Sequence, residues 1–275
     1  MSRESLISPM AGMNTQAIVS EKFLGDRQVQ EDELAVFHHK ERLFLAVADG
    51  MGGHAHGCQA AHWLIEELEH GPGENSAADE IFAAAVKNTV QRMQATASDM
   101  GCTFAAAIVA REREQYRLSF SWLGDARIYL VNNRPQAAAG AIHIGKVDGR
   151  SLWLLSRDDS FIWGFFKRGE LTLDQLTIHP NKNQLEVSVQ GRQLQAAQIA
   201  RKRTQTVFLD QDDILFLCTD GIWETFPSQM QLAAKLLALD PKRALQAHFE
   251  QSSRKGMNDN ATYILARIGN NLFGK

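Results

Sequence analysis

Two strongly apolar runs, 116–123 and 128–131, follow one another across only four residues. A connection that short has no room for the helix that a parallel crossover needs, so the two runs read as antiparallel neighbours in a hairpin. Further runs rich in β-branched and aromatic residues lie at 43–48, 102–110, 214–218 and 262–268, and these predict strands. Between them, 59–68, 77–93, 229–239 and 241–252 carry Leu, Ile, Ala and Phe at three- and four-residue intervals, which predicts amphipathic helices. The helices come in pairs, one pair after Asp49 and one after Pro227, and are expected to cover sheet faces in layers. A doubly wound parallel sheet is excluded by the strand succession. The fold class is α+β, a sandwich. The segment 134–150, rich in Ala and Gly, breaks the strand pattern and reads as a surface insertion.

With 275 residues and 44% hydrophobic side chains, the chain is expected to form a single catalytic domain around one substantial core. Lys and Arg number 29 against 32 Asp and Glu, a net charge of −3. That balance provides no broad positive field for nucleic acid or an anionic membrane, so any phosphate chemistry must be local. Cys58, Cys102 and Cys218 are odd in number and form no CxxC, which favours buried, reduced thiols and a reducing compartment. The first residues lack an apolar leader core, and no stretch approaches the ~18 apolar residues of a membrane span. The expectation is a cytoplasmic, unanchored protein.

Three aspartates, Asp49, Asp125 and Asp220, each stand at the end of an apolar run beside Gly or Ala. A carboxylate so placed projects into a cleft while the backbone turns away. Hard cations such as Mg²⁺ and Mn²⁺ take oxygen ligands and keep several waters, so a few carboxylates separated in sequence suffice to hold them. Asp49 with the Gly50 carbonyl, Asp220, Asp259 and Asp32 supply such a set. Two ions roughly 4 Å apart lower the pKa of a bridging water and direct it at phosphorus, so no protein nucleophile is required. Consistent with that, the chain has no GxSxG elbow, CxxxxxR cradle or Walker A loop. Arg27 offers a planar fork for two phosphate oxygens. The plainer alternatives are ordinary Asp-Gly turns, a surface ion pair from Arg27 to Glu31 or Asp32, and a simple turn at Asp259 and Asn260. Asp158 reads as a loop acid, and 161–168, with four aromatics, as a helix packed by its aromatic side.

Taken together, these residues resemble a family. Arg27 to Asp32 (RxxxED), Asp49-Gly50-Met51-Gly52-Gly53-His54, Gly101-Cys102-Thr103, Gly124-Asp125-Ala126-Arg127, Ser156-Arg157-Asp158-Asp159-Ser160, Thr219-Asp220-Gly221 and Asp259-Asn260-Ala261-Thr262 follow, in order, the motifs of the metal-dependent serine/threonine protein phosphatases of type 2C, bacterial branch. The resemblance spans about 19–268. It implies a four-layer α-β-β-α sandwich of two antiparallel sheets flanked by helix pairs, with a core near 15–268 and a flap near 160–203. It also implies a binuclear Mn²⁺ or Mg²⁺ centre that hydrolyses phosphoserine and phosphothreonine on a phosphoprotein, a Ser/Thr kinase or its target, by a monomeric enzyme. Asp49 would bridge the two ions and the Gly50 carbonyl would bind one. Asp220 and Asp259 would bind the other, Asp32 with Glu31 would order metal-bound water, and Asp125 would serve a third, weaker site. Arg27 would hold the phosphate, while His54 and Asn260 would support the centre from behind. Four positions depart from the family pattern: Gln30 for Asn, Ala126 for Ser, Asp159 for His and Thr219 for Ser. A non-catalytic relative that binds phosphoproteins is the rival expectation, against which the retained acids count.

Overall fold

The computed structural model describes residues 17–51, 55–71, 73, 76–96 and 99–273. In chain order the strands are β1 (Ile18–Phe23), β2 (Glu33–His39), β3 (Arg42–Met51), β4 (Gly101–Glu112), β5 (Gln115–Leu123), β6 (Arg127–Asn132), β7 (Ile142–Val147), β8 (Arg150–Leu154), β9 (Val189–Gln190), β10 (Gln205–Leu209), β11 (Ile214–Cys218) and β12 (Ala261–Arg267). The helices are α1 (Ala55–His70), α2 (Ala78–Thr96), α3 (Trp163–Lys167), α4 (Leu173–Thr177), α5 (Ala196–Arg203), α6 (Asp220–Trp223), α7 (Gln229–Leu236) and α8 (Pro241–Lys255). One sheet runs β1-β12-β11-β6-β8-β7; the other runs β10-β5-β4-β3-β2, with β9 added beside β4. All the pairings are antiparallel.

Side chains alternate across each central strand and feed three apolar layers. On β3, Leu43, Leu45 and Val47 enter the core between the sheets, while Phe44, Ala46 and Ala48 face the layer made with α1, α2 and α5. On β11, Leu215 and Leu217 point between the sheets, and Ile214, Phe216 and Cys218 meet α7 and α8. Both faces of these strands are covered, so their sequences are apolar without interruption. Each large side chain buried this way contributes about 1.5–3 kcal/mol. Helix starts are fixed locally: Asp240 accepts from the Arg243 N–H (3.0 Å) with Pro241 opening α8, and Ser228 caps α7. The result is the expected α-β-β-α order of layers.

Two expectations need correcting. The runs 116–123 and 128–131 are not a hairpin: β5 belongs to one sheet and β6 to the other, so residues 124–126 are a corner that carries the chain between sheets. Both strands put apolar side chains into the same inter-sheet core, which explains why so short a connection suffices. Segment 134–150, expected as a surface insertion, contains edge strand β7, and its Ala137 and Ala138 are buried in that core. The small side chains that weakened the strand signal are what lets this loop lie against the sheet. Segment 160–203 holds α3, α4, β9 and α5. Within it Trp163 is buried, whereas Phe161 stays 48% exposed. Phe82 and Leu236, at apolar positions of the expected helices, are core, and Trp63 is partly buried beneath the Arg92 guanidinium. Cys102 and Cys218 are buried thiols, and Cys58 is half-buried.

Candidate metal centre

The acids meet because strand ends meet. Asp49 and Gly50 close β3 opposite Thr103 and Cys102 of β4, and the Glu33–Ala48 pairing sets Asp32, just before β2, at the same end. In the other sheet Cys218 pairs with both Arg127 and Tyr263. Asp125 precedes Arg127 by two residues, Asp220 follows Cys218 by two, and Asp259 lies just before β12. Three carboxylates thus leave the same end of three adjacent strands. Thr219 is the N-cap position of α6, and Asp220 opens that helix. Gly221 allows it: a methyl there would stand 1.9 Å from the Asn260 carbonyl oxygen, so only glycine lets the Asp220 and Asp259 loops touch.

Hydrogen bonds fix the supporting residues. Thr219 Oγ1 donates to Asp32 Oδ2 (2.8 Å), and the Thr262 N–H donates to Thr219 Oγ1 (3.0 Å). Gln30 accepts from the Asp32 N–H (3.0 Å) and donates to the Phe23 carbonyl (3.0 Å). Two of the departures from the family pattern, Gln30 and Thr219, therefore grip Asp32. Asn260 accepts from the Glu31 N–H (2.8 Å) and donates to the Leu24 carbonyl (2.9 Å), which sets the Glu31 loop against the Asp259 loop. Arg27 is not paired with Glu31 or Asp32, the plainer expectation, but with Asp259, Nη2 to Oδ2 at 2.8 Å. A guanidinium has five N–H donors, so that bond leaves it able to take phosphate oxygens. His54 lies outside the described residues.

Electrostatics show that these groups share one field. Burial pushes Asp49 far above the usual carboxylate range, with Asp220, Asp32, Asp125 and Asp259 adding to the rise. Asp220 is raised in the same way, by burial and then by Asp125, Glu224, Asp259 and Asp32. Burial lifts Asp32 to about 6 and, with Asp158 beside it, Asp125 to about 7. Arg27 is pushed up by its bond to Asp259 and by the charges of Asp259, Glu31 and Asp220. Desolvated carboxylates that raise one another need protons or a cation to coexist, and two of these four, Asp32 and Asp125, are buried. Asp32 Oδ1 is buried without a hydrogen-bond partner among the described residues, so the donor set fits a hard divalent ion. No three acidic, His or Cys side chains among the described residues already form one ligand cluster. That is compatible with Mg²⁺ or Mn²⁺ chemistry, in which one or two carboxylates per ion suffice and water completes the octahedron.

Several residues that the sequence did not single out prove central. Arg127 is fully buried and bidentate to Asp158 (2.9 and 2.7 Å), with its guanidinium 3.8 Å from the centroid of the Trp223 ring. Asp158 is therefore the counter-ion of a buried arginine, and the reading as a loop acid is corrected. The signal was present: an arginine opening an uninterrupted apolar strand demands a buried partner. Trp223 in turn donates to the Asp125 carbonyl (3.2 Å). Glu224, one helical turn after Asp220, is paired with Lys182 of the 160–203 segment. Asp159 is paired with Arg203.

Comparison with known proteins agrees with this architecture. The protein phosphatase 2C family profile matches residues 22–260. The serine/threonine phosphatase PstP of Mycobacterium tuberculosis is 27% identical over 241 residues, covering 84% of this chain and 41% of PstP, so the chain spans about two fifths of that relative. The serine/threonine phosphatase stp of Listeria monocytogenes is 27% identical over 256 residues, 87% of this chain and 90% of stp. Among solved structures, the S. agalactiae serine/threonine phosphatase superposes with a TM-score of 0.69 at 22% identity, over 92% of this chain and 99% of that one. The catalytic domain of PstP in complex with two manganese ions gives 0.64 at 22% identity, over 91% and 96%. At those identities the structural likeness speaks for the fold, and the profile match over most of the chain decides the family. This chain belongs to the protein phosphatase 2C family.

Proposed function

We propose that this protein is a metal-dependent phosphatase that hydrolyses phosphoserine and phosphothreonine on proteins. The observation that carries the reading is the set of acids at one end of both sheets beside Arg27, with Asp32 and Asp125 buried and Asp49 and Asp220 partly exposed, all four raised above the usual carboxylate range. Asp49, the Gly50 carbonyl, Asp220 and Asp259 would hold two Mn²⁺ or Mg²⁺ ions, with Asp32 beside them and Asp125 at a third, weaker site. Bound there, the metal supplies a water acidic enough to attack phosphorus at neutral pH and a positive field for the charge that develops. The chain's own residues do the rest. Arg27 orients the phosphate through guanidinium donors not committed to Asp259. Thr219, fixed by the Thr262 N–H, keeps Asp32 Oδ2 occupied, while Oδ1 is buried without a hydrogen-bond partner among the described residues. Asn260 keeps Glu31 and Asp259 on facing loops. The two manganese ions in the PstP catalytic domain support the metal assignment by analogy.

The substrate would be a phosphoprotein, a Ser/Thr kinase or one of its targets, and not nucleic acid or a membrane, given the net charge of −3. No helix among the described residues is long and apolar enough to cross a membrane, and we place the protein in the cytoplasm as a monomer. Its core, about 15–268, would act as one phosphatase domain with 160–203 as the flap. The test is phosphate release from a phosphothreonine peptide. Release is expected only with Mn²⁺ or Mg²⁺ and is lost in Asp49→Asn; turnover that persists in chelator would overturn the proposal.

A further inference from the structure

We infer that Asp159 and Arg203 are a positioning pair that holds the corner carrying Asp125 in its cation-binding geometry. The inference rests on the reading of Asp125 as a metal ligand. The corner 124–126 carries the chain from one sheet to the other, and no ladder bond joins its two strands. Its geometry must therefore be imposed from outside. Asp159 supplies a two-point grip on Gly124: its Oδ2 accepts from the Gly124 N–H (2.9 Å), and its own N–H donates to the Gly124 carbonyl (2.9 Å). Gly124 has φ +92°, and a methyl there would meet the Thr103 side chain at 2.5 Å. The corner is thus seated on the residue that pairs with Asp49. On the far side Trp223 Nε1 holds the Asp125 carbonyl at 3.2 Å, so the Asp125 backbone is clamped between Trp223 and Asp159.

Arg203 makes this grip affordable to a buried acid. Asp159 is 7% exposed, and a carboxylate so placed needs a counter-charge. Arg203, the last residue of α5, gives Nη1 to the same Oδ2, and its guanidinium lies over the Trp122 ring, 5.7 Å from the centroid. Trp122 is itself tied to the Arg157 carbonyl (2.7 Å). The Asp159 carbonyl also accepts from the Glu186 N–H (2.7 Å), so the brace reaches into segment 160–203. The Asp159 carboxylate adds negative charge beside the corner that carries Asp125, and Arg203 offsets it. Asp159 and Arg203 act as one matched unit, and neither touches the reacting atoms.

The test is a calorimetric Mn²⁺ titration of the full chain, with folding checked by circular dichroism, on wild type, Asp125→Asn, Asp159→Ala, Asp159→Asn and the double variant D159N/R203Q. Asp125→Asn is expected to lose the weakest binding step. Asp159→Ala should weaken that same step on the order of 10- to 100-fold, the usual effect of removing a residue that orients a metal ligand, while the tighter steps stay put. Asp159→Asn keeps the acceptor for Gly124, so the neutral double variant should recover most of the loss. If Asp159→Ala does not fold, Asp159→Asn alone, which leaves Arg203 uncompensated, must show a smaller loss at the same step. Unchanged titrations for Asp159→Ala and Asp159→Asn, with only a lower melting temperature, would overturn the brace while the Asp125 assignment stands. An unchanged titration for Asp125→Asn would overturn the Asp125 assignment and this inference with it.

Discussion

At the residue scale, Arg27 and Asp259 constrain one another. Their ion pair is half exposed on the arginine side (50%) and a third exposed on the aspartate side, so it contributes little to stability and is free to exchange. Arg27→Ala should therefore raise KM for a phosphopeptide by roughly tenfold or more, as the loss of a charged hydrogen-bonded contact implies, with a smaller change in kcat. Mn²⁺ affinity should hold or rise, because Asp259 loses a competing cation. Steady-state kinetics beside a metal titration checks this; a fall in metal affinity would make Arg27 a structural partner of Asp259 and not a substrate clamp. Gln30 and Thr219, which depart from the family pattern, are both hydrogen-bond partners of Asp32.

At the scale of elements, the central strands β3, β4, β5, β6, β11 and β12 and the helices α1, α2, α7 and α8 were legible, because each carries an apolar pattern at its own period. The edge strands β1, β2, β7 and β10 were not. Their residues are mostly half-exposed and mix charge, amide and hydroxyl groups with the apolar ones, so the alternation is blurred. The β5–β6 corner was misread because a short loop looks alike whether it closes a hairpin or crosses between sheets. The strand-end acids were legible for the same reason the strands were, whereas the pairing of Arg127 with Asp158 joins residues 31 positions apart that no local pattern connects. That pair binds the start of β6 to the segment after β8, and both side chains are buried. Asp158→Ala would leave an uncompensated guanidinium, so it should cost about 3–5 kcal/mol of stability in chemical denaturation. A loss below about 1 kcal/mol, the size of an exposed pair, would mean that Arg127 is solvated.

At the scale of the whole molecule, the acid cluster opposes the fold that creates it. Asp32 and Asp125 rise from a reference of 3.8 to about 6 and about 7 because burial penalises their charge. Their folded values exceed the unfolded ones, so their contribution to stability is complete below the unfolded value and is lost as pH rises through 6 and 7. A divalent ion replaces those protons, and binding it releases them. The increase in melting temperature caused by excess Mn²⁺ should therefore grow from pH 5.5 to 7.5, as scanning fluorimetry would show. The same increment at both ends of that range would mean that the carboxyls ionise without regard to the metal. The two sheets and their helix layers thus form a scaffold whose strand ends are held together against their own repulsion until a cation arrives.

That claim is tested most directly by where metal binds. Crystals grown with Mn²⁺ and measured at the manganese absorption edge should show two strong anomalous peaks sharing the Asp49 carboxylate, one also at the Gly50 carbonyl and the other at Asp220 and Asp259, with a weaker peak at Asp125. Peaks absent from the Asp49 carboxylate, or confined to surface histidines, would contradict the account.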